Sequence, residues 1–194
     1  MSSISIQVVG PMDHEPKVPF ADDVQAKWDS FTNLKDKSSV IQFDPLIKSG
    51  IVRFEVLDGR NLSEVGIAKM DAHYKRNEDP YSGLNYIFVA GWKPTGCLSH
   101  LGDSVYTDSK YSDGDVVALE LNMDSDPRTL SLFVNGKMQN DFITHVPDAV
   151  RFWAHISKIG DSFKVLKFER LPNPTGVHCE ESREWKYGED WIKK

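Results

Sequence analysis

Cys97 and His100 form a Cys-x-x-His pair, and His178-Cys179 stands near the other end of the chain. Thiolate and imidazole are zinc ligands, and these residues together can close a tetrahedral site. The chemistry on offer is a zinc clip tying the tail to the middle of the chain. The second pair is adjacent in sequence, which is poor ligand spacing. The favoured reading is a buried cysteine with unrelated surface histidines, and no metal. Asp124 and Asp126 offer oxygen ligands, but the calcium loop with its central glycine and terminal glutamate is absent. They read as a solvated turn. Asp113 and Asp115 flank Gly114 and read as a turn entering a strand.

Catalytic signatures are missing. There is no Gly-x-Ser-x-Gly elbow, no phosphate-cradling glycine loop and no His-Glu-x-x-His. Ser, His and Asp are plentiful, and a triad is defined in space rather than by spacing. An enzyme therefore stays as an alternative, and no cofactor is expected.

The 194 residues suit one domain with appendages, and composition is that of a globular protein, 40% hydrophobic and 27% charged. Acids outnumber bases 29 to 23, for a net charge of -6, and no Lys/Arg run reaches four. Nucleic-acid and anionic-membrane binding both rest on clustered cations, so neither partner is expected. Two cysteines are too few for a disulfide framework. No apolar run approaches the roughly 18 residues of a membrane span. The first twenty residues carry neither the basic start nor the apolar run of a signal peptide. The expectation is an intracellular, cytoplasmic protein, in which the Asn61–Ser63 glycosylation triplet is chance.

The elements that must hold any site are strands. In GDVVALELNMDSDPRTLSLFVNGK (114–137), Val117, Leu119, Leu121 and Met123 share one face. An Asp/Ser/Pro turn follows, then Leu130, Leu132 and Val134 resume the alternation. Asn135-Gly136 supplies the two positive-φ residues of a type I′ hairpin turn, and Lys137 starts the return strand. The same period places Val52, Phe54 and Val56 opposite Arg53 and Glu55. It sets Val150, Phe152, Ala154 and Ile156 against Arg151, Trp153, His155 and Ser157. EVGIAKM (64–70) reads as a short strand, LNYIFVAGW (84–92) as one buried on both faces, and SFKVLKFERL (162–171) as the last. Turn-punctuated strands predict an all-β, two-sheet antiparallel sandwich. One short helix is predicted within 21–31, where Val24, Trp28 and Phe31 fall at i, i+4 and i+7. The tail, with Trp185, Tyr187 and Trp191, is expected to dock on its own domain.

The order of these motifs resembles the SPRY, or B30.2-like, family. The matching pieces are VRFEV (52–56), VGIAK (65–69), VAGW (89–92), GDVVALELNMD (114–124), RTLSLFVNGK (128–137) and RFWAHIS (151–157). The resemblance covers roughly residues 50–171. Trp28 with SSVIQF resembles a divergent form of the segment that often precedes the SPRY core. It implies a concanavalin-type jelly-roll sandwich over 24–171, with a 1–23 extension and a 172–194 tail. It also implies a non-enzymatic module that binds a protein or short peptide through loops at one end. The chain departs from the family in having Arg53 or a neighbour where the first motif has Trp. Positions near Ser99 and Gly160 lack the aromatics with which the SOCS-box branch grips its peptide, so that specificity does not transfer.

Recognition is then expected on four loops, LDGRNLSE (57–64), DAHYKRNEDPYSG (71–83), KPTGCLSHLGD (93–103) and KIGD (158–161). Their candidate contact residues are Arg60, Tyr74, Arg76, Tyr81, Ser99, Ile159 and Asp161. Trp153 joins them, because it alternates with inward residues. Trp92 reads as core. A lectin-like sandwich is the other rival. It would want an aromatic platform in a polar groove, and usually secretion or calcium.

Overall fold

Alternating apolar residues cannot bury both faces of one sheet, so the chain closes two sheets over a shared core. The computed structural model describes residues 8–192. The larger sheet holds nine strands: β1 (Gly10–Pro11), β3 (Val24–Lys27), β4 (Ser30–Asn33), β6 (Ile51–Arg60), β11 (Val116–Asn122), β12 (Thr129–Val134), β13 (Lys137–Thr144), β15 (Ser162–Leu171) and β16 (Arg183–Lys186). Its order is β16-β13-β12-β11-β6-β15-β4-β3, with β1 also on β15. The smaller holds seven: β2 (Glu15–Lys17), β5 (Ser39–Ile47), β7 (Glu64–Lys69), β8 (Val89–Trp92), β9 (Cys97–His100), β10 (Asp103–Tyr106) and β14 (Val150–Ile156). Its order is β10-β9-β8-β7-β14-β5-β2. Pairing is antiparallel throughout except for β16, which lies parallel to β13. The architecture is the all-β sandwich that the strand pattern predicts. Strands from the two extensions, β1 and β2 before residue 24 and β16 after 171, add to its sheets.

The predicted faces hold. Val52, Phe54, Val56, Val117, Leu119, Leu121, Leu130 and Leu132 are buried between the sheets. Phenylalanines fill the core: Phe54 stacks on Phe152 across the layers at 5.2 Å, and Phe31 on Phe163 within the larger sheet at 4.9 Å. Such pairs add roughly 0.5–1.5 kcal/mol beyond the area they bury.

Two local expectations fail. The helix expected within 21–31 is a 3-10 turn at Ala21–Asp23 followed by the β3–β4 hairpin. The i, i+4, i+7 spacing is overridden because β4 pairs with β15, which buries Phe31 against Phe163. Trp28 falls at the hairpin tip with φ 54° and is 90% exposed. The strand expected from residue 84 begins at Val89, since Asn85–Ile87 forms a second 3-10 turn. There the chain leaves the long connection that follows β7, and the Asn85 side chain bonds back to the His73 carbonyl at 2.8 Å.

The tail docks on its own domain. The Trp185 indole and Arg183 guanidinium both donate to the buried Asp141 carboxylate, each at 2.8 Å. His100 is buried rather than on the surface. Its Nδ1 lies 2.7 Å from the Val89 carbonyl, and Nε2 accepts the Gly188 N–H at 2.8 Å. His178 stacks on Phe142 instead, so the two Cys/His pairs are held by different partners. Among the described residues no group of three His, Cys, Asp or Glu is placed to hold a metal ion.

Asn135 and Gly136 have φ of 51° and 77°, which is the type I′ turn. A β-branched residue is strained in that region. Gly136→Val is expected to lower stability by about 1–3 kcal/mol, read from the urea midpoint. An unchanged midpoint would contradict it.

Candidate functional site

In β7 and β14 the residues that alternate with the core face outward. Trp153 is opposite Gly66, which is opposite Gly91 in β8, and His155 is opposite Glu64. A Cβ on Gly66 or Gly91 would sit 2.7 Å from the Trp153 ring. The glycines thus form a flat floor on which the indole lies. Residues 70–88 close over it. Val40, Ala68, Ala72, Val89 and Trp153 make a second small core, with Tyr74, Tyr81 and Phe88 packed against it. Ser38 anchors this cover as a donor: its hydroxyl faces the Glu78 carbonyl (2.9 Å) and Asp79 Oδ1 (2.8 Å), and its N–H donates to the Asn77 side-chain oxygen (3.1 Å).

Where the cover meets the ends of β7, β8 and β14, it leaves a cleft of about 560 Å³. Ser63, Glu64, Asp79, Pro80, Tyr81, Ser82, Lys93, His155 and Ser157 line it. The Tyr81 hydroxyl donates to Glu64 Oε1. Burial pushes the Glu64 carboxyl up to about 7, against the pull of Tyr81 and Lys93. Burial pulls the His155 imidazole down to about 4, with Asp79 acting the other way. His155 Nε2 meets Ser38 Oγ at 2.8 Å and Asp79 Oδ1 at 3.7 Å. Both oxygens face one ring nitrogen. A relay needs the carboxylate on the other nitrogen, so this cluster is a hydrogen-bonded anchor rather than a nucleophile and its base.

The residues expected to bind a partner divide. Tyr81 is in the cleft wall. Arg60 and Ile159 are exposed nearby, where Arg60 lies against Gly160. Tyr74 is half-buried and pins the cover through the Pro80 carbonyl at 3.1 Å. Arg76 is engaged: its guanidinium grips Asp23 at 2.7 and 2.8 Å and lies over Phe20. Asp161 is buried, accepting the Ser157 and Lys158 N–H groups. Ser99 is buried in β9 against Ser104. Trp153 does face outward from the sandwich but is 0% exposed, because the cover seals it. These last three do not offer a surface to a partner. Glu64 and Lys93 lie on expected loops but were not singled out, and His155 and Ser157 were missed. No local pattern distinguishes them, since only the strand ends bring them together.

The SPRY domain of human HERC1 superposes with a TM-score of 0.57 at 16% identity, over 75% of this chain and 95% of that one. A second human SPRY domain gives 0.58 at 12%, over 78% and 96%. The fold is a SPRY fold. The PSpry domain of TRIM65 agrees, at 0.53 and 10%, over 74% of this chain and 85% of that one. No family model and no curated protein matches the sequence. The SPRY core seen in the motif order is therefore carried by geometry that survives at very low identity. Among the described residues no helix is long and apolar enough to cross a membrane.

The two shifted groups act on stability in opposite directions. Unfolded Glu64 loses its proton near 4.5 and the folded group near 7. The folded chain holds the extra proton between, so that contribution is full below 4.5 and lost as pH rises through 7. His155 titrates near 4 folded and 6.5 unfolded, so its contribution is full above 6.5 and lost as pH falls through 4. Each is worth up to about 3 kcal/mol. Urea midpoints from pH 4 to 8 should show Glu64→Gln flattening the alkaline decline and His155→Gln the acid one. Identical profiles for all three proteins would refute the assignments.

Proposed function

We propose that this chain is a non-enzymatic binding module that holds a short peptide segment of a partner protein in the Glu64–Tyr81–His155 cleft. The observation that carries this reading is the cleft itself. Its volume suits a few side chains, and its polar groups converge from separate parts of the chain. Rigid strand ends fix Glu64, His155 and Ser157, while the cover supplies Asp79 to Ser82. A site preformed on strands loses little entropy when a flexible peptide is ordered on it. Arg60 and Ile159 stand exposed at the same end and extend the surface available to a partner. SPRY folds seen in larger proteins such as HERC1 and TRIM65 fit a modular role.

Panning a random peptide library on the intact chain tests this. Ser157→Trp would fill the cleft, and Lys48→Trp would place the same indole on the turn between β5 and β6, at the opposite end. Selected peptides should bind the Lys48 variant within about twofold of the parent. They should bind the Ser157 variant at least about tenfold more weakly, as loss of a central pocket does. Both variants are first checked for an unchanged melting temperature. Equal binding to both would move the site elsewhere.

A further inference from the structure

The buried carboxylates of this protein are, with one exception, well partnered. Asp23, Glu55, Glu120 and Asp141 each have an arginine or lysine within 4.0 Å. Asp58 and Asp161 accept backbone N–H groups. Glu64, only 1% exposed, has neither. Among the described residues its one hydrogen bond is from Tyr81 to Oε1, and Oε2 has no partner there. Yet Glu64 lines a cleft of about 560 Å³. A buried carboxylate without a cation costs stability that a ligand can restore.

The rest of the lining is richer in acceptors than in cations. Asp79 stands on the rim, 72% exposed, and Ser63 and Ser157 add hydroxyls. Lys93 is the cation of the lining. It has no carboxylate within 4.0 Å among the described residues, and its Nζ stands 5.7 Å from the centre of the Tyr81 ring. Pro80 and the Tyr81 ring give the wall an apolar flank.

We propose that the cleft receives an arginine side chain of the bound peptide, with its guanidinium between the Glu64 carboxylate and Asp79. This rests on the peptide-binding reading above and names what that peptide must carry. Arginine suits the site better than lysine. Its planar fork suits two carboxylates at once, and it is less strongly hydrated, so approaching the buried Glu64 costs less. The net charge of -6 steers a basic segment toward the protein. The opposing reading is that Glu64 and Tyr81 only latch the 70–88 cover and meet no ligand.

The library selected on the intact chain decides between them. Peptides whose binding depends on an open cleft should share one arginine. A synthetic copy with citrulline in its place, which keeps shape and loses charge, should bind at least about tenfold more weakly. Glu64→Gln should weaken the arginine peptide to a similar degree and leave the citrulline copy unchanged. Asp79→Asn, whose amide oxygen can still accept from the Ser38 hydroxyl, should weaken it about threefold once an unchanged melting temperature is confirmed. Lys93→Glu should strengthen it. Cleft-dependent peptides without a shared arginine, or affinities that citrulline and Glu64→Gln leave within twofold, overturn the arginine and keep the peptide site. Failure to select any cleft-dependent peptide overturns both.

Discussion

Trp153 lies on two glycines, and the outer face of the seven-stranded sheet is organised around that contact. A methyl group at Gly66 or Gly91 would collide with the ring, so the indole can lie flat only where both are glycine. An indole standing on the outside of a sandwich would be a large exposed apolar surface. The chain answers with residues 70–88, which cross the face and seal it. Polar fastenings hold that cover, among them Ser38 with Asp79, Arg76 with Asp23 and Tyr81 with Glu64. The cleft exists because the cover stops at the strand ends and does not close over them.

The opposite outer face follows the same logic with different chemistry. There Arg53 bonds Glu55 and Glu120 at 3.1 and 3.3 Å, and lies over the Phe133 ring. A charged row of this kind is tolerated near the interior only when its remaining valences are met. The tail meets them, since the Thr175 hydroxyl and N–H both reach Glu120. Further along, β16 extends the sheet, and Tyr187 and Trp191 pack against His100 at the rim. Each outer face is thus covered by its own non-core segment, one apolar underneath and one ionic.

Covering Trp153 removes it from the surface and makes it a support of the cleft instead. The same holds for Asp161, whose carboxylate fixes the turn at 157–161 that carries Ser157 and Ile159. Residues that look like interface anchors by type are here holding the loops, while groups of ordinary type at strand ends face the cleft.

The sandwich, the Asn135-Gly136 turn and the strand faces were legible in the sequence. Those rest on a two-residue period and on local backbone chemistry, both written in neighbouring residues. It also carried the SPRY motif order, because scaffold positions answer to the same packing demands wherever the fold occurs. It misjudged residues 21–31, where a long-range strand pairing outweighs helical spacing. The site was decided by the tertiary structure. Ser38, Glu64, Asp79, Lys93 and His155 come from five separate segments; the loops that carry Glu64, Asp79 and Lys93 were legible, but which side chains converge was not. Whether an outward residue such as Trp153 meets solvent or a cover depends on where a loop of nearly twenty residues lies. That is fixed by the contacts the loop makes across the chain, and periodicity says nothing about them.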